Sequence, residues 1–189
     1  MQTSILTEPA ETQGLRHDPT TIWLHWATAL LVVLLWVIGQ TIDFAPRGAL
    51  RTDYRSVHIV AGITLAVVLI TRIAWRLSRG GMLPPLDTGP LLLVARVTHL
   101  ALYALMVATV GLGLFNIWVR GDTLFGLVTL PAFEPGNTAL RRTIGGWHEL
   151  AANVLLIVAG LHAAAALFHH LLLRDATLRR MWFAGARNR

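Results

Sequence analysis

The 189-residue sequence contains no cysteine and no lysine. Without cysteine there is no disulfide, no thiolate-held iron–sulfur cluster, no zinc site built on thiolates and no haem attached through C-x-x-C-H. Charge is also scarce: 14% of residues are charged against 54% hydrophobic, and the mean hydropathy is positive. That composition excludes a soluble domain around a large core and describes a membrane protein. No soluble basic module is available to hold nucleic acid. The net charge of +6 therefore points to membrane topology and contact with lipid.

Long apolar runs take up most of the chain. Residues 22–42, 57–75, 91–118 and 146–172 are each long enough to cross about 30 Å of hydrocarbon. The segments between them are short. This predicts an all-α membrane protein, a four-transmembrane-helix bundle, spanning residues 18–183, with a polar tail at 1–17 and a basic tail at 184–189. The first tail lacks the basic start and short apolar core of a cleaved signal peptide. Asp18-Pro19 reads as a helix start, with Asp as N-cap and Pro in the first turn. An even number of spans puts both termini on one side. Ten of the sixteen arginines fall on that side and six on the other (Arg47, Arg51, Arg55, Arg120, Arg141, Arg142). The positive-inside rule then places both termini in the cytoplasm. The inner loop 78–90 reads as a connector. The outer loop 119–142, apolar and broken by Pro131, Pro135 and Gly136, reads as a surface cap. The arginines of the tail 174–189 are expected on anionic headgroups.

Histidine is abundant where it is costly. Of eight histidines, four lie in or at the end of the last span: His148, His162, His169 and His170. His148 and His162 are separated by about 21 Å of rise and fall about 40° short of whole turns, so both face one side of the helix. His169 keeps that face to within about 20°. Polar side chains inside a bilayer turn toward the bundle interior.

Depth pairs the histidines. Helices 1 and 3 run outward, helices 2 and 4 inward. His58 and His148 then lie at the outer starts of their helices, and His25 and His162 in the inner half. Two neutral imidazoles on opposite sides of an iron hold a six-coordinate b haem without covalent attachment. The two pairs predict two haem b groups per chain. An iron with no open position moves electrons; it neither binds oxygen nor acts as a Lewis acid. Gly62, four residues after His58, offers bare backbone to a flat macrocycle, or else ordinary small-residue helix packing. Arg55 reaches either a propionate or a lipid headgroup. His99, one turn from Tyr103, hydrogen-bonds a carboxylate or water, or stands in for His25 as the inner ligand.

These residues carry a resemblance. W-x-H-W at Trp23–Trp26, R-x-x-H-x-x-x-G at Arg55–Gly62, H-x-x-x-Y at His99–Tyr103, W-H-E at Trp147–Glu149 and G-L-H-A-A-A-A-L-x-H-H at Gly160–His170 resemble the bacterial cytochrome b-561 family. That family is related to the cytochrome b subunits of nickel–iron hydrogenases, and the likeness covers about residues 17–183. It implies four membrane helices in the bacterial inner membrane, two b haems on His25, His58, His148 and His162, and electron exchange with ubiquinone. Some members are superoxide oxidases.

Two functions follow from the resemblance. One is a stand-alone superoxide:ubiquinone oxidoreductase, with the six outer arginines steering the anion against the near-balance of Asp43, Asp53, Asp122, Glu134 and Glu149. The alternative is a membrane-anchor subunit relaying electrons for a soluble dehydrogenase or hydrogenase. A helical transporter with incidental histidines is a third reading, which a colourless protein would select. For the quinone, His169 and His99 near the inner surface are the expected neighbours, because a quinone headgroup needs groups that relay protons.

Overall fold

In the computed structural model, which describes residues 16–78, 83–86 and 88–183, local chemistry sets the helix starts. Pro19 cannot donate a backbone hydrogen bond, so it sits where none is needed, in the first turn of helix α1 (Pro19–Thr41). Asp18 caps that turn, its carboxylate accepting from the Thr21 amide at 3.0 Å and the Thr21 hydroxyl at 2.5 Å. Helices α2 (Ala49–Ser78), α3 (Gly89–Arg120) and α4 (Thr138–Phe168) follow. At 23 to 32 residues each, all four are long and apolar enough to cross a membrane. Helix α1 packs chiefly on α2 and α3 on α4, with α2–α3 and α1–α4 contacts closing the bundle.

Two helices start earlier than their apolar runs. Helix α2 begins at Ala49 and α4 at Thr138, ahead of the apolar runs from 57 and 146, so the outer loop expected at 119–142 is shorter. Asn137 caps α4 by accepting from the Leu140 amide at 2.9 Å. These first two turns carry Arg51, Arg55, Arg141 and Arg142, polar residues that give no apolar signature. The outer loop is a folded cap. Gly121 ends α3 in the left-handed region (φ 64°), and Thr123–Leu124 pairs antiparallel with Val128–Thr129. Ser56, wholly buried on α2, accepts from the Phe125 amide at 2.8 Å, and Phe133 stacks on Trp118 at 4.5 Å.

The face of the bundle that carries both described ends is tied together by the C-terminal segment. The His17 amide donates to the Arg180 carbonyl at 3.1 Å, and Trp26 Nε1 donates to the Met181 carbonyl at 2.8 Å. Trp23 stacks on Phe183 at 4.7 Å, so the two described ends lie on one side of the bundle. Arg180, expected among the headgroups, instead turns inward and donates to the Pro84 carbonyl at 2.6 Å. The expected tail residues 1–15 and 184–189 lie outside the described residues, as do 79–82 and 87 of the inner connector.

The apolar centre sits at mid-height. Leu69, Met106 and Leu155 meet there, surrounded by Val32, Leu102, Tyr103 and Val110. Leu155 is seven residues from both His148 and His162, so one stripe of α4 reads His, Leu, His along the helix. On the outward faces Leu30, Val67, Ile70, Leu100, Ile157 and Leu161 are exposed, a surface that suits lipid rather than water. Trp36 Nε1 donates across α1 and α4 to Asn153 Oδ1 at 2.8 Å.

Candidate functional site

The outer level joins α2 to α4. The rings of His58 and His148 stand 6.2 Å apart and nearly perpendicular. His148 is oriented by its backbone surroundings. The Thr109 carbonyl can only accept, so His148 Nδ1 donates to it at 3.0 Å and Nε2 keeps its lone pair. Two glycines let neighbouring helices approach these rings. A Cβ on Gly113 of α3 would lie 3.0 Å from His148 Cε1, and one on Gly39 of α1 would lie 3.3 Å from His58 Cε1. His58 Nδ1 is buried with no hydrogen-bond partner. Beside this level Asp122, nearly buried, sits 3.6 Å from Arg55 Nη1 and 3.3 Å from Arg120 Nε. Arg55 is thus engaged by the cap. An open cavity of about 440 Å³ nearby is lined by Arg120, Arg141, Arg142, Gly145 and Glu149.

The inner level brings three histidines together. His25 of α1 stands 6.4 Å from His162 of α4, and His99 of α3 stands 5.3 Å from the same ring. His25 and His162 are half-buried, whereas His99 is exposed on the flank of the bundle. Arg72 of α2 donates through Nη2 to His25 Nδ1 at 2.9 Å. Its guanidinium lies 5.3 Å over the Tyr103 ring, with that of Arg76 5.9 Å from the same ring. Two turns beyond His162, α4 widens into a π-helical turn, His169–Leu173. There His169 Nδ1 meets Asp175 Oδ2 at 2.5 Å, while His170 is exposed. Burial pushes the Asp175 carboxyl up, but hydrogen bonds from His169 and Thr177 outweigh it and hold the group below the usual carboxylate range.

The chemistry of the donor set narrows what could bind. Among the described residues no three His, Asp or Glu side chains are arranged to hold a metal ion by themselves. The outer level offers two imidazoles and the inner level three, so the remaining ligands would have to come with the cofactor, as in haem. Two metal–nitrogen bonds of about 2.0 Å and two ring half-widths of about 1.1 Å would put the centroids of two imidazoles sharing a metal at most roughly 6.2 Å apart. The 6.2 Å and 6.4 Å pairs fit that spacing, and the 5.3 Å His99–His162 pair falls short of it. The open space beside Gly62, where an added Cβ meets no atom within 4 Å, also suits an added group.

Several participants escaped the sequence reading. Arg72 was visible as a charge inside an apolar span, but nothing in the sequence matched it to His25. Thr109, Gly39 and Gly113 gave no signal, since only the rotation of α1 and α3 points them at the rings. Asp175 is close to His169 in sequence, but the π turn brings the two together.

The chain is similar to known proteins along almost its whole length. Residues 16–184 match the family model described as prokaryotic cytochrome b561. The probable superoxide oxidase CybB of Yersinia pestis is 36% identical over 165 residues, covering 85% of this chain and 92% of the relative. Cytochrome b561 homolog 1 of Escherichia coli K12 is 31% identical over 173 residues, covering 88% and 96%. Cytochrome b562 of Cereibacter sphaeroides is 31% identical over 166 residues, covering 85% and 90%.

Proposed function

The chain belongs to the prokaryotic cytochrome b561 family, a family of bacterial inner-membrane electron-transfer proteins that implies haem b, and on that premise we propose that it is a superoxide:ubiquinone oxidoreductase with two b haems. In this reading His58 and His148 hold the outer haem, and His25 and His162 the inner one. The observation that carries it is the pair of half-buried histidine couples, 6.2 Å and 6.4 Å apart, at two depths of one bundle. Haem held there by two imidazoles would supply one-electron transfer.

The chain's own groups do the rest. The Thr109 carbonyl holds His148 in the tautomer whose Nε2 keeps the lone pair a haem iron would take. The Gly39 and Gly113 backbones hold the two outer rings at a fixed distance. Arg141 and Arg142 line an outward-opening cavity that favours a small anion, with Glu149 in its wall and with Arg120 and Arg55 both engaged by Asp122. The donor reading also draws on the 36% identity to a probable superoxide oxidase. In the overall reaction two superoxide anions each lose one electron and leave as dioxygen. Ubiquinone gains both electrons and two protons and becomes ubiquinol. His169, with Nδ1 on Asp175, is the proton-handling group proposed at the quinone, and exposed His99 borders the same inner surface. The arginine bias is the support for placing both termini in the cytoplasm.

The test is spectroscopic. Purified protein should contain two non-covalent haems per chain by pyridine haemochrome assay, and superoxide should reduce them. His58→Ala or His148→Ala should remove one spectral component, and His25→Ala or His162→Ala the other. His99→Ala should keep both. His169→Ala should keep both haems and their reduction but slow reoxidation by ubiquinone. Protein that dithionite reduces and superoxide does not would reject the donor and favour the anchor-subunit reading, for which a co-purifying soluble partner is the sign.

A further inference from the structure

The start of α4 presents hydrogen-bond donors that the protein itself does not use. At that end of the bundle Arg51 is held by Asp43 and the Ala45 carbonyl, and Arg55 and Arg120 are held by Asp122. Arg142 meets no carboxylate or carbonyl among the described residues. Nor does the Thr143 hydroxyl or the Trp147 indole N–H meet an acceptor there.

These three donors share one groove. An open cavity of about 260 Å³ is lined by Arg142, Thr143, Gly146, Trp147 and Leu150, all of them exposed. Gly146 leaves it unfilled, since an added Cβ there meets no atom within 4 Å. Thr143, Trp147, Leu150, Val154, Ile157 and Leu161 recur at i, i+4, i+7, i+11, i+14 and i+18, which is a single face of α4, and all six are exposed. The groove thus has a cationic mouth rich in donors and runs on into an apolar track along the span. Glu149 lines the neighbouring cavity and not this one. The two share Arg142 and Gly146, while Arg141 belongs to the neighbour alone.

A ligand suited to this groove accepts hydrogen bonds, carries negative charge and has a long apolar part. We propose that the groove binds one anionic phospholipid of the leaflet around the α4 start. Its phosphodiester lies on Arg142 and Thr143, an ester carbonyl accepts from Trp147 Nε1, and an acyl chain follows Gly146, Leu150 and Val154. An indole suits the headgroup level, where its ring is in hydrocarbon and its N–H reaches polar groups. A zwitterionic headgroup brings a cation of its own toward Arg142 and is disfavoured by like-charge repulsion. The site is independent of the redox reading, because no histidine takes part in it.

Native mass spectrometry of the full-length protein reads the occupancy. The sample is purified in detergent with equal amounts of a phosphatidylglycerol and a phosphatidylcholine that have the same acyl chains. The parent should keep one phosphatidylglycerol per chain in preference to phosphatidylcholine. Arg142→Gln should lower that retention about fivefold, the contribution of one arginine against anionic lipid, and Arg142→Lys should keep most of it. Gly146→Leu fills the groove and leaves every charge in place, and it should lower retention as well. Arg47→Gln, at an exposed arginine of the same end outside the groove, should change nothing. A large excess of inorganic phosphate should leave the lipid bound. Equal retention of the two lipids by the parent, or no greater fall in Arg142→Gln than in Arg47→Gln, overturns the proposal. Displacement by phosphate would show a free-anion site and also overturns it, as does normal retention in Gly146→Leu. Should circular dichroism show that Arg142→Gln has lost helix, Gly146→Leu, with its charges intact, decides.

Discussion

Replacing Gly113 with alanine tests whether the outer pair is held by the close approach of α3. The added Cβ would lie 3.0 Å from His148 Cε1 and 3.3 Å from His148 Nδ1. Non-bonded carbon atoms pack at about 3.5–4.0 Å, so one side must retreat by roughly half an ångström or more. Helix α3 packs along α4 and is pinned at its outer end by the hairpin, so the imidazole moves. Its 3.0 Å bond to the Thr109 carbonyl lengthens, and Nε2 shifts relative to His58. Overpacking of this kind costs about 1–3 kcal/mol. If haem binding at that level bears the cost, affinity falls roughly 5- to 140-fold, at about 1.4 kcal/mol per tenfold. Gly39→Ala, with its Cβ 3.3 Å from His58 Cε1, should fall at the low end of that range. Gly145→Ala, whose nearest neighbour is Asn116 Oδ1 at 4.0 Å, should change nothing. Transfer of haem to an excess of apomyoglobin, followed at each spectral component, measures the loss. The inner component should be unaffected throughout. A Gly113→Ala protein that keeps its outer haem as tightly as the parent, or that loses the inner one, would refute the reasoning.

Two further outcomes follow from particular contacts. Ser56→Ala removes the acceptor for the Phe125 amide, worth about 1 kcal/mol, so hydrogen exchange in the 121–137 cap should quicken about fivefold; unchanged exchange would show that the Phe133–Trp118 stacking alone holds it. Asp175 titrates below the usual carboxylate range in the folded protein, so its contribution to stability is full above the unfolded carboxyl's pKa and is lost as pH falls through the lower folded value. Melting of the parent should therefore lose that contribution on acidification, while Asp175→Asn should lower the neutral-pH melting temperature and flatten the acid limb; parallel pH profiles would contradict this.

The sequence alone determined the number of spans, because crossing hydrocarbon takes about twenty apolar residues and leaves little freedom in composition. It determined the helix start at Asp18-Pro19, where capping chemistry is local. It also determined which histidines share a depth, since a rise of about 1.5 Å per residue and alternating helix direction give each its height, and the rings of His58 and His148, and of His25 and His162, do stand side by side. Helix starts at Ala49 and Thr138 were invisible because their first two turns carry polar residues that give no apolar signal. The tertiary structure decided what depth cannot, namely how each helix is rotated about its own axis. That rotation brings Gly39 and Gly113, rather than the motif glycine Gly62, against the histidine rings. It leaves His99 exposed and closer than His25 to His162. It also sets Arg72 beside His25, forty-seven residues away in the chain. Rotation is settled by packing between helices, through contacts distant in sequence, so no local pattern encodes it.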